Sequence, residues 1–436
     1  MKVNQKKLGM MIVAASLTLG TVSCKKEGCT DGTATNYNSE ADKDDGSCTY
    51  APAEGGIVVE KTGYIYSDQT WVSDSIYHIT GKVIVETGAT LTIMPCTIVT
   101  GAQGSGANAS ALVIAQGGMI NACGTATQPI IFTSELDDIQ PGQLTGTNLD
   151  ENDQGLWGGI IVLGNAPISA ADGDNLSQIE GIPATDTYGA FGGSDASDNS
   201  GSMCYVSIRH GGALIGAGNE INGLTLGGVG SGTSISNIEV VSNLDDGIEF
   251  FGGTVDVSNV LVGWQGDDGI DIDMNYSGTV SNFTVINGAS SDEGLEIDGP
   301  EGTTYTSGMF TLQDGTVYTF GGADANGDFK SKAQGFVNNV ILGGAKIRAS
   351  YQNACVDTKT DAFTHLTDAS ATLTFTGSQF SSVTVYTASD DGAGTACTVF
   401  AVDQTAAESA MTSGTATGSD VSGFTSWSWA GVNGKL

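Results

Sequence analysis

Asp245-Asp246-Gly247-Ile248-Glu249-Phe250 is followed by Asp267-Asp268-Gly269-Ile270-Asp271-Ile272 and by Asp292-Glu293-Gly294-Leu295-Glu296-Ile297. The spacings are 22 and 25 residues. A second phrase keeps step with the first: Asn237-Ile238-Glu239-Val240, Asn259-Val260-Leu261-Val262 and Asn282-Phe283-Thr284-Val285. Two phrases recurring together at that period mark stacked structural repeats. Each alternates apolar and polar residues, the period of a strand with one buried face. A repeat this short cannot hold a strand–helix–strand crossover of about 30 residues. It suits two or three short strands joined by Gly and Asn turns. The expected fold is therefore all-β, a right-handed parallel β-helix with capped ends.

Stacking sets equivalent residues of successive coils about 4.8 Å apart. Ile248, Ile270 and Leu295 then pile up inside the coil, with Phe250, Ile272 and Ile297 beside them. The opposite parity faces out, and there Asp245, Asp267 and Asp292 form one column. Glu249, Asp271 and Glu296 form another, and Asp273 and Asp298 fall next to Phe251 in a third. No Lys or Arg lies between Arg209 and Lys330. Like charges at this spacing repel by about 1 kcal/mol even at the dielectric of water. Two readings stay open: a strip holding hard divalent cations, with Ca²⁺ suited to carboxylate oxygens, or a solvated acidic face screened by salt.

Met1 to Ser23 reads as a targeting segment: Lys2, Lys6 and Lys7 precede an apolar run from Leu8 to Val22 that is too short for a permanent span. Thr21-Val22-Ser23-Cys24 resembles a bacterial lipoprotein signal, with Cys24 as the acylated residue that would anchor the chain to a lipid bilayer. Ordinary secretion with Cys24 in a disulfide is the other reading. Export admits disulfides among the 8 cysteines. Spacing suggests Cys29 with Cys48, Cys96 with Cys123 and Cys355 with Cys397, leaving Cys204 buried in the stack. With only His78, His210 and His365, no Cys–His metal constellation is available.

The chain has 436 residues, 64 of them Gly, and 49 acidic against 15 basic side chains, for a net charge of -34. Such a surface repels nucleic acid. No amphipathic helix is expected after residue 23. The organisation read from the chain is a signal segment over 1–23, a tether over 24–55, and a β-helix over 56–436. Within the last, 350–436 reads as looser coils and a cap containing Trp427 and Trp429. Glu135 to Gln154 reads as an acidic excursion from the stack, and Ile57 to Tyr77 as a segment capping its open end. Asp324-Ala325-Asn326-Gly327-Asp328 has the first half of a calcium loop but no closing glutamate.

Cys29-Thr30-Asp31, Ala34-Thr35-Asn36-Tyr37-Asn38 and Asp44-Asp45-Gly46-Ser47-Cys48 resemble a short cysteine-bracketed motif of Bacteroidetes surface proteins. Further on, Gly155-Leu156-Trp157-Gly158-Gly159-Ile160-Ile161-Val162-Leu163-Gly164-Asn165 and Glu220-Ile221-Asn222-Gly223-Leu224-Thr225-Leu226-Gly227-Gly228 carry a second resemblance. With Asp245 to Val255 they are similar to a family of exported, commonly lipidated β-helix proteins of Bacteroidetes and other Gram-negative bacteria. That resemblance implies the fold and a place at the outer membrane or cell surface, and no catalytic residues. A surface-anchored structural or binding protein is the leading expectation, through adhesion or attachment to glycans or neighbouring proteins. The alternatives are a polysaccharide-degrading enzyme or a subunit of a surface filament or layer. For the enzyme, Gly266-Asp267-Asp268 resembles the paired aspartates of pectin-hydrolysing β-helices, where two carboxyls act as acid and base. Their partner motifs, Gly-His-Gly and Arg-Ile-Lys, are not downstream in matching form. Lys346-Ile347-Arg348 stands there instead.

Overall fold

The computed structural model describes residues 26, 28–30, 37–43, 57–215, 221–319, 326–349, 361–387, 401–411 and 414–436. The chain divides into two units, 1–54 and 55–436. In the first, Cys29 is buried and disulfide-bonded, and Lys26 pairs with Glu40. Cys24, Cys48, Cys355, Cys397 and residues 1–23, where a targeting segment was expected, lie outside the described residues.

The second unit is a right-handed parallel β-helix whose 25 strands hydrogen-bond coil to coil as one continuous parallel ladder. The ladder folds into three faces. Ser234–Val241, Val257–Gly263, Thr279–Asn287 and Phe310–Thr319 each run along the first face, bend, and continue along the second. The bends fall at Asn237, Asn259, Asn282 and Asp314, with φ of 54°, 55°, 50° and 54°. Asparagine enters this left-handed region more cheaply than other side chains, which explains the second repeated phrase. Its side chains also form a ladder, Asn282 Nδ2 donating to Asn259 Oδ1 at 2.8 Å.

The third face carries the first phrase: Ile248–Phe251, Ile270–Asp273 and Leu295–Ile297. Its register is the expected one, Ile248 on Ile270 on Leu295 and Glu249 on Asp271 on Glu296. All six inward side chains are buried in one core with the inward residues of the other faces. The glycine of the phrase is a packing requirement. A Cβ on Gly269 would sit 2.4 Å from Val285 Cγ1 and 2.6 Å from the Gly294 carbonyl oxygen.

Both ends of the core are closed. At the first, Ile57–Ile65 is a full strand on Ser75–Val85. Trp71 and Tyr77 stack there with the Lys61 amine 5.6 Å from each ring, and an inward cation blunts an open edge. At the second, two short helices, Ala362–Thr367 and Ala401–Ala410, bring Leu366, Ala407 and Met411 into the core. No helix was expected here, because six to ten residues are too few for amphipathic periodicity to stand out.

The C-terminal tryptophans are not that cap. Residues 414–436 run back along the outside of the second face as a strap. Asn339 holds Thr417, Asn282 holds Asp420, and Lys435 reaches Glu151. Phe424, Trp427 and Trp429 pack on Val241, Leu261 and Ile286. Beneath the strap Glu239, fully buried, accepts the backbone N–H groups of Trp429 and Ala430 at 2.7 and 2.9 Å. Arg209 Nε donates to Ser207 Oγ, which in turn donates to Glu239. Burial pulls the Arg209 guanidinium below its ordinary value, and Glu239 opposes that shift.

Two excursions leave the stack. The expected one, 135–154, lies on the second face through Ile139 against Ile98 and Ile131. A second, unexpected one runs from Gly164 to Ser200 and covers part of the third face, where Ile168, Ile179, Ile182 and Phe191 pack on Val113, Ile161, Leu163 and Phe251.

One expected disulfide is corrected by the register. Cys123 pairs with Cys204, 81 residues on, and Cys96 is free. The two excursions lengthen that coil, so sequence spacing misleads. Cys123 and Cys204 are register partners, whereas Ile93 on Ala122 sets Met94, not Cys96, beside Cys123. Cys96 has already turned the corner at φ 69°.

Candidate functional site

The outward residues of the third face form the candidate site. Thr225, Glu249, Asp271, Glu296, Asp328 and Lys346 follow one another in register, with Phe251 and Asp273 in the next column. The predicted columns are therefore assembled, but they are not uniformly solvated. Glu249 is 5% exposed, because the 164–200 excursion roofs the strip at that coil. Asp245 is half-buried, Asp267 and Asp292 are exposed, and Glu296 and Asp298 are half-buried.

Cations arrive from later coils. Lys330 pairs with Glu296 and lies 3.7 Å from Asp298 Oδ2; Lys346 lies 3.0 Å from Glu293 Oε1. Arg348 grips Asp328 through Nε at 2.9 and 2.8 Å, so this aspartate of the half calcium loop is already engaged; Asp324 lies outside the described residues. Among the described residues no ion pair is seen at Glu249 or Asp271.

The second acid of the first two phrases ties its coil to the next. Asp246 Oδ1 accepts the Asp268 N–H at 2.9 Å, and Asp268 Oδ1 accepts the Glu293 N–H at 2.7 Å. Asp268 is 2% exposed, and burial with the Asp246 charge pushes its carboxyl up to about 9. Asp267 and Asp268 are thus an exposed acid and a buried one bonded to backbone, not a pair facing an open groove.

Three carboxylates crowd together: Asp246, Glu249 and Asp271 each offer an oxygen within 4.8 Å of the others. A second trio, Asp245, Asp246 and Asp267, meets the same limit nearer the surface. Burial, then neighbouring carboxylates, raise Asp246, Glu249 and Asp271 well above the ordinary range. Asn222 donates its Nδ2 to Glu249. The sequence reading did not place Asp246 or Asn222 in this cluster. The signal was there, since Asn222-Gly223-Leu224-Thr225 is a further copy of the phrase, with Leu224 in register on Ile248.

Toward the edge of the third face two hollows meet. A cavity of about 250 Å³ lies between the excursion (Gln178, Glu180, Phe191) and Glu249, Asp273 and Glu301. A cleft of about 880 Å³ continues past Asp273 and Glu301, lined also by Asp298, Thr306, Lys332, Gln334 and His365. Burial raises Asp273 to about 6, with Glu301 adding and Lys330 opposing. Burial, with the Asp273 charge, raises Asp298 to about 7. Lys332 Nζ donates to the Pro300 carbonyl at 2.7 Å and His365 Nδ1 lies 3.0 Å from the Ala333 carbonyl oxygen, so both side chains are fixed on the wall. Nothing in the sequence linked these two residues to Asp273. The topology joins them by folding 299–306, 331–334 and the helix Ala362–Thr367 back to one coil edge.

From residue 63 to 430 the sequence matches the family described as the pectate-lyase-like β-helix domain. The chain belongs to that family. The pectate-lyase-like assignment agrees with the parallel coils and carries no activity of its own. Among curated proteins no sequence matches the chain. A solved structure, a pectin methylesterase from Aspergillus niger, aligns over 83% of this pectate-lyase-like chain and 96% of its own, at 12% identity and a TM-score of 0.25.

Proposed function

We propose that this protein binds saccharide chains in the cleft bounded by Asp273, Asp298, Glu301, Lys332, Gln334 and His365. One observation carries the reading: a hollow of about 880 Å³ on the flank of the stack, walled by donors and acceptors of mixed type. Concave sites with a few convergent polar groups are where small ligands bind. The family adds a fold often associated with polysaccharides, by analogy only. Three carboxyls face one lysine there, so neutral or basic sugars fit the charge better than uronates. In this reading the protein is exported and held at the cell surface through a lipid on Cys24, presenting the flank outward. A Cys24→Ala variant tests the anchor, since it would lose incorporation of labelled fatty acid.

The test is calorimetric titration with neutral, basic and acidic oligosaccharides, on the parent and on Asp298→Asn. The expected result is saturable binding of neutral or basic sugars that the variant weakens. Absence of binding across the panel removes the proposal.

A second reading has its own support. Asp298 N–H donates to the Ile272 carbonyl at 2.7 Å, which puts Asp273 and Asp298 on adjacent rungs about 4.8 Å apart. Side chains on adjacent rungs can reach the separation of about 5–5.5 Å between the two carboxyls of a retaining glycosidase. Asp298, raised to about 7, would donate to the leaving oxygen while Asp273 attacks. Release of reducing ends, lost in either Asp→Asn variant, supports hydrolysis; binding without release restricts the protein to attachment.

A further inference from the structure

We infer that Asp246, Glu249 and Asp271, with the carboxamide of Asn222, form a buried Ca²⁺ site that pins the 164–200 excursion to the stack. The inference is independent of the saccharide reading, since its ligands are coil residues and its role is structural. Oxygens of the three carboxylates fall within 4.8 Å of one another, the compass of ligands around one cation. Three buried carboxyls in one place must either hold protons or share a cation, and no Lys or Arg lies between Arg209 and Lys330.

Two further observations point to a ligand. Asn222, 3% exposed, turns its carboxamide onto Glu249 through Nδ2, and its Oδ1 has no hydrogen-bond partner. Asp271 Oδ1 is shielded from solvent and is likewise without a partner. A buried oxygen without a donor costs about 1–3 kcal/mol, and two beside one carboxylate trio leave an unmet demand for positive charge. A half-turn of the Asn222 amide exchanges oxygen for nitrogen without changing its shape, which makes it a fourth oxygen ligand. Ca²⁺ takes six to eight oxygens in a flexible shell at about 2.3–2.6 Å, whereas Mg²⁺ demands near-ideal octahedral geometry. The adjoining 250 Å³ cavity has room for the waters that complete the shell, and its roof is the excursion at Gln178, Ile179 and Glu180. Glu180 adds to the negative field at Asp246 and Glu249. An ion bound below would draw this segment down.

The experiment uses the whole chain, stripped with chelator and titrated with Ca²⁺ and separately with Mg²⁺. Readouts are calorimetry, Tm and the rate of proteolysis within 164–200. The expected result is one Ca²⁺ per chain, a rise in Tm, and cleavage of the excursion slowed at least tenfold. Asp271→Asn should weaken Ca²⁺ binding at least tenfold, and Asp292→Asn, an exposed acid on the same strip, should leave it unchanged. Should Asp271→Asn fail to fold, Asn222→Ala takes its place, with an expected loss of threefold or more. A parent chain that takes up no Ca²⁺ with a change in Tm or cleavage overturns the site. So does undiminished affinity in the folded variant, and equal response to Mg²⁺ overturns the assignment to Ca²⁺.

Discussion

Glu239→Gln tests the reasoning about the strap. The parent carboxylate is fully buried and accepts from Trp429 N–H, Ala430 N–H and Ser207 Oγ–H. Through Ser207 it also compensates Arg209, which is equally buried and whose two terminal nitrogens have no hydrogen-bond partner. The glutamine keeps the volume and loses the charge. Removing one member of a buried charge pair costs about 3–5 kcal/mol, because the other is left uncompensated. The amide also brings its own N–H₂ to a place furnished with donors, so one of the two backbone N–H groups goes unmet, within the same range. The assay is denaturant unfolding followed by tryptophan fluorescence, which reports the strap directly through Trp427 and Trp429. Limited proteolysis at 414–436 runs alongside. The expected result is a loss of about 3–5 kcal/mol, with cleavage of the strap preceding loss of the stack. Arg209→Met combined with Glu239→Gln should recover most of the loss, since paired removal of buried charges is close to neutral. Parent-like stability in Glu239→Gln, or a double variant as weak as the two losses summed, refutes the account.

Three other expectations follow from the same geometry. Asn282→Ala places an alanine at φ 50° and removes bonds to Asn259 and Asp420, and should cost about 2 kcal/mol; Asn282→Gly, free of the backbone term, should cost less in thermal unfolding. The folded Asp298 carboxyl keeps its proton to about pH 7. The unfolded one releases it near pH 4, so its contribution is full below pH 4 and is lost as the pH rises to 7. Asp298→Asn should therefore gain on the parent across that window by about 1–2 kcal/mol after solvent screening, and a difference flat with pH would count against a raised carboxyl. Peptide mapping without reduction should recover Cys123 linked to Cys204 and Cys96 open to alkylation; a Cys96–Cys123 peptide would contradict the register.

The coil, its register and its three carboxylate columns were legible because the phrases around Ile248, Ile270 and Leu295 repeat within one uninterrupted stretch. There the period is the fold. What the sequence hid depends on chain that leaves the period. The 164–200 excursion has no repeat of its own, so nothing announced that Glu249 would be roofed rather than solvated. The same insertion placed Cys204 beside Cys123 against the spacing argument. Lys346 and Arg348 sit some fifty residues from Glu293 in sequence and two coils away in space. The relief they give shows only when the register is counted through Asp328. Trp427 and Trp429 read as an end cap because a chain terminus beside a solenoid end is the simplest guess. Their real partners, Val241 and Leu261, are ordinary core-like residues whose outward parity is the sole hint of a covering segment.

The strap also bears on how the chain comes to be folded. In a stack where each coil touches only its neighbours, early coils can settle as soon as they are made. Glu239 settles in two stages, hydrated on the open second face until the N–H groups of residues 429 and 430, about 190 positions later, replace its water. This one contact gives a nearest-neighbour polymer a large sequence separation. A chain cut short before residue 429 would assemble its rungs but leave Glu239 facing water beside an open apolar groove. Burial of Glu239 therefore follows assembly of the rungs it lies on.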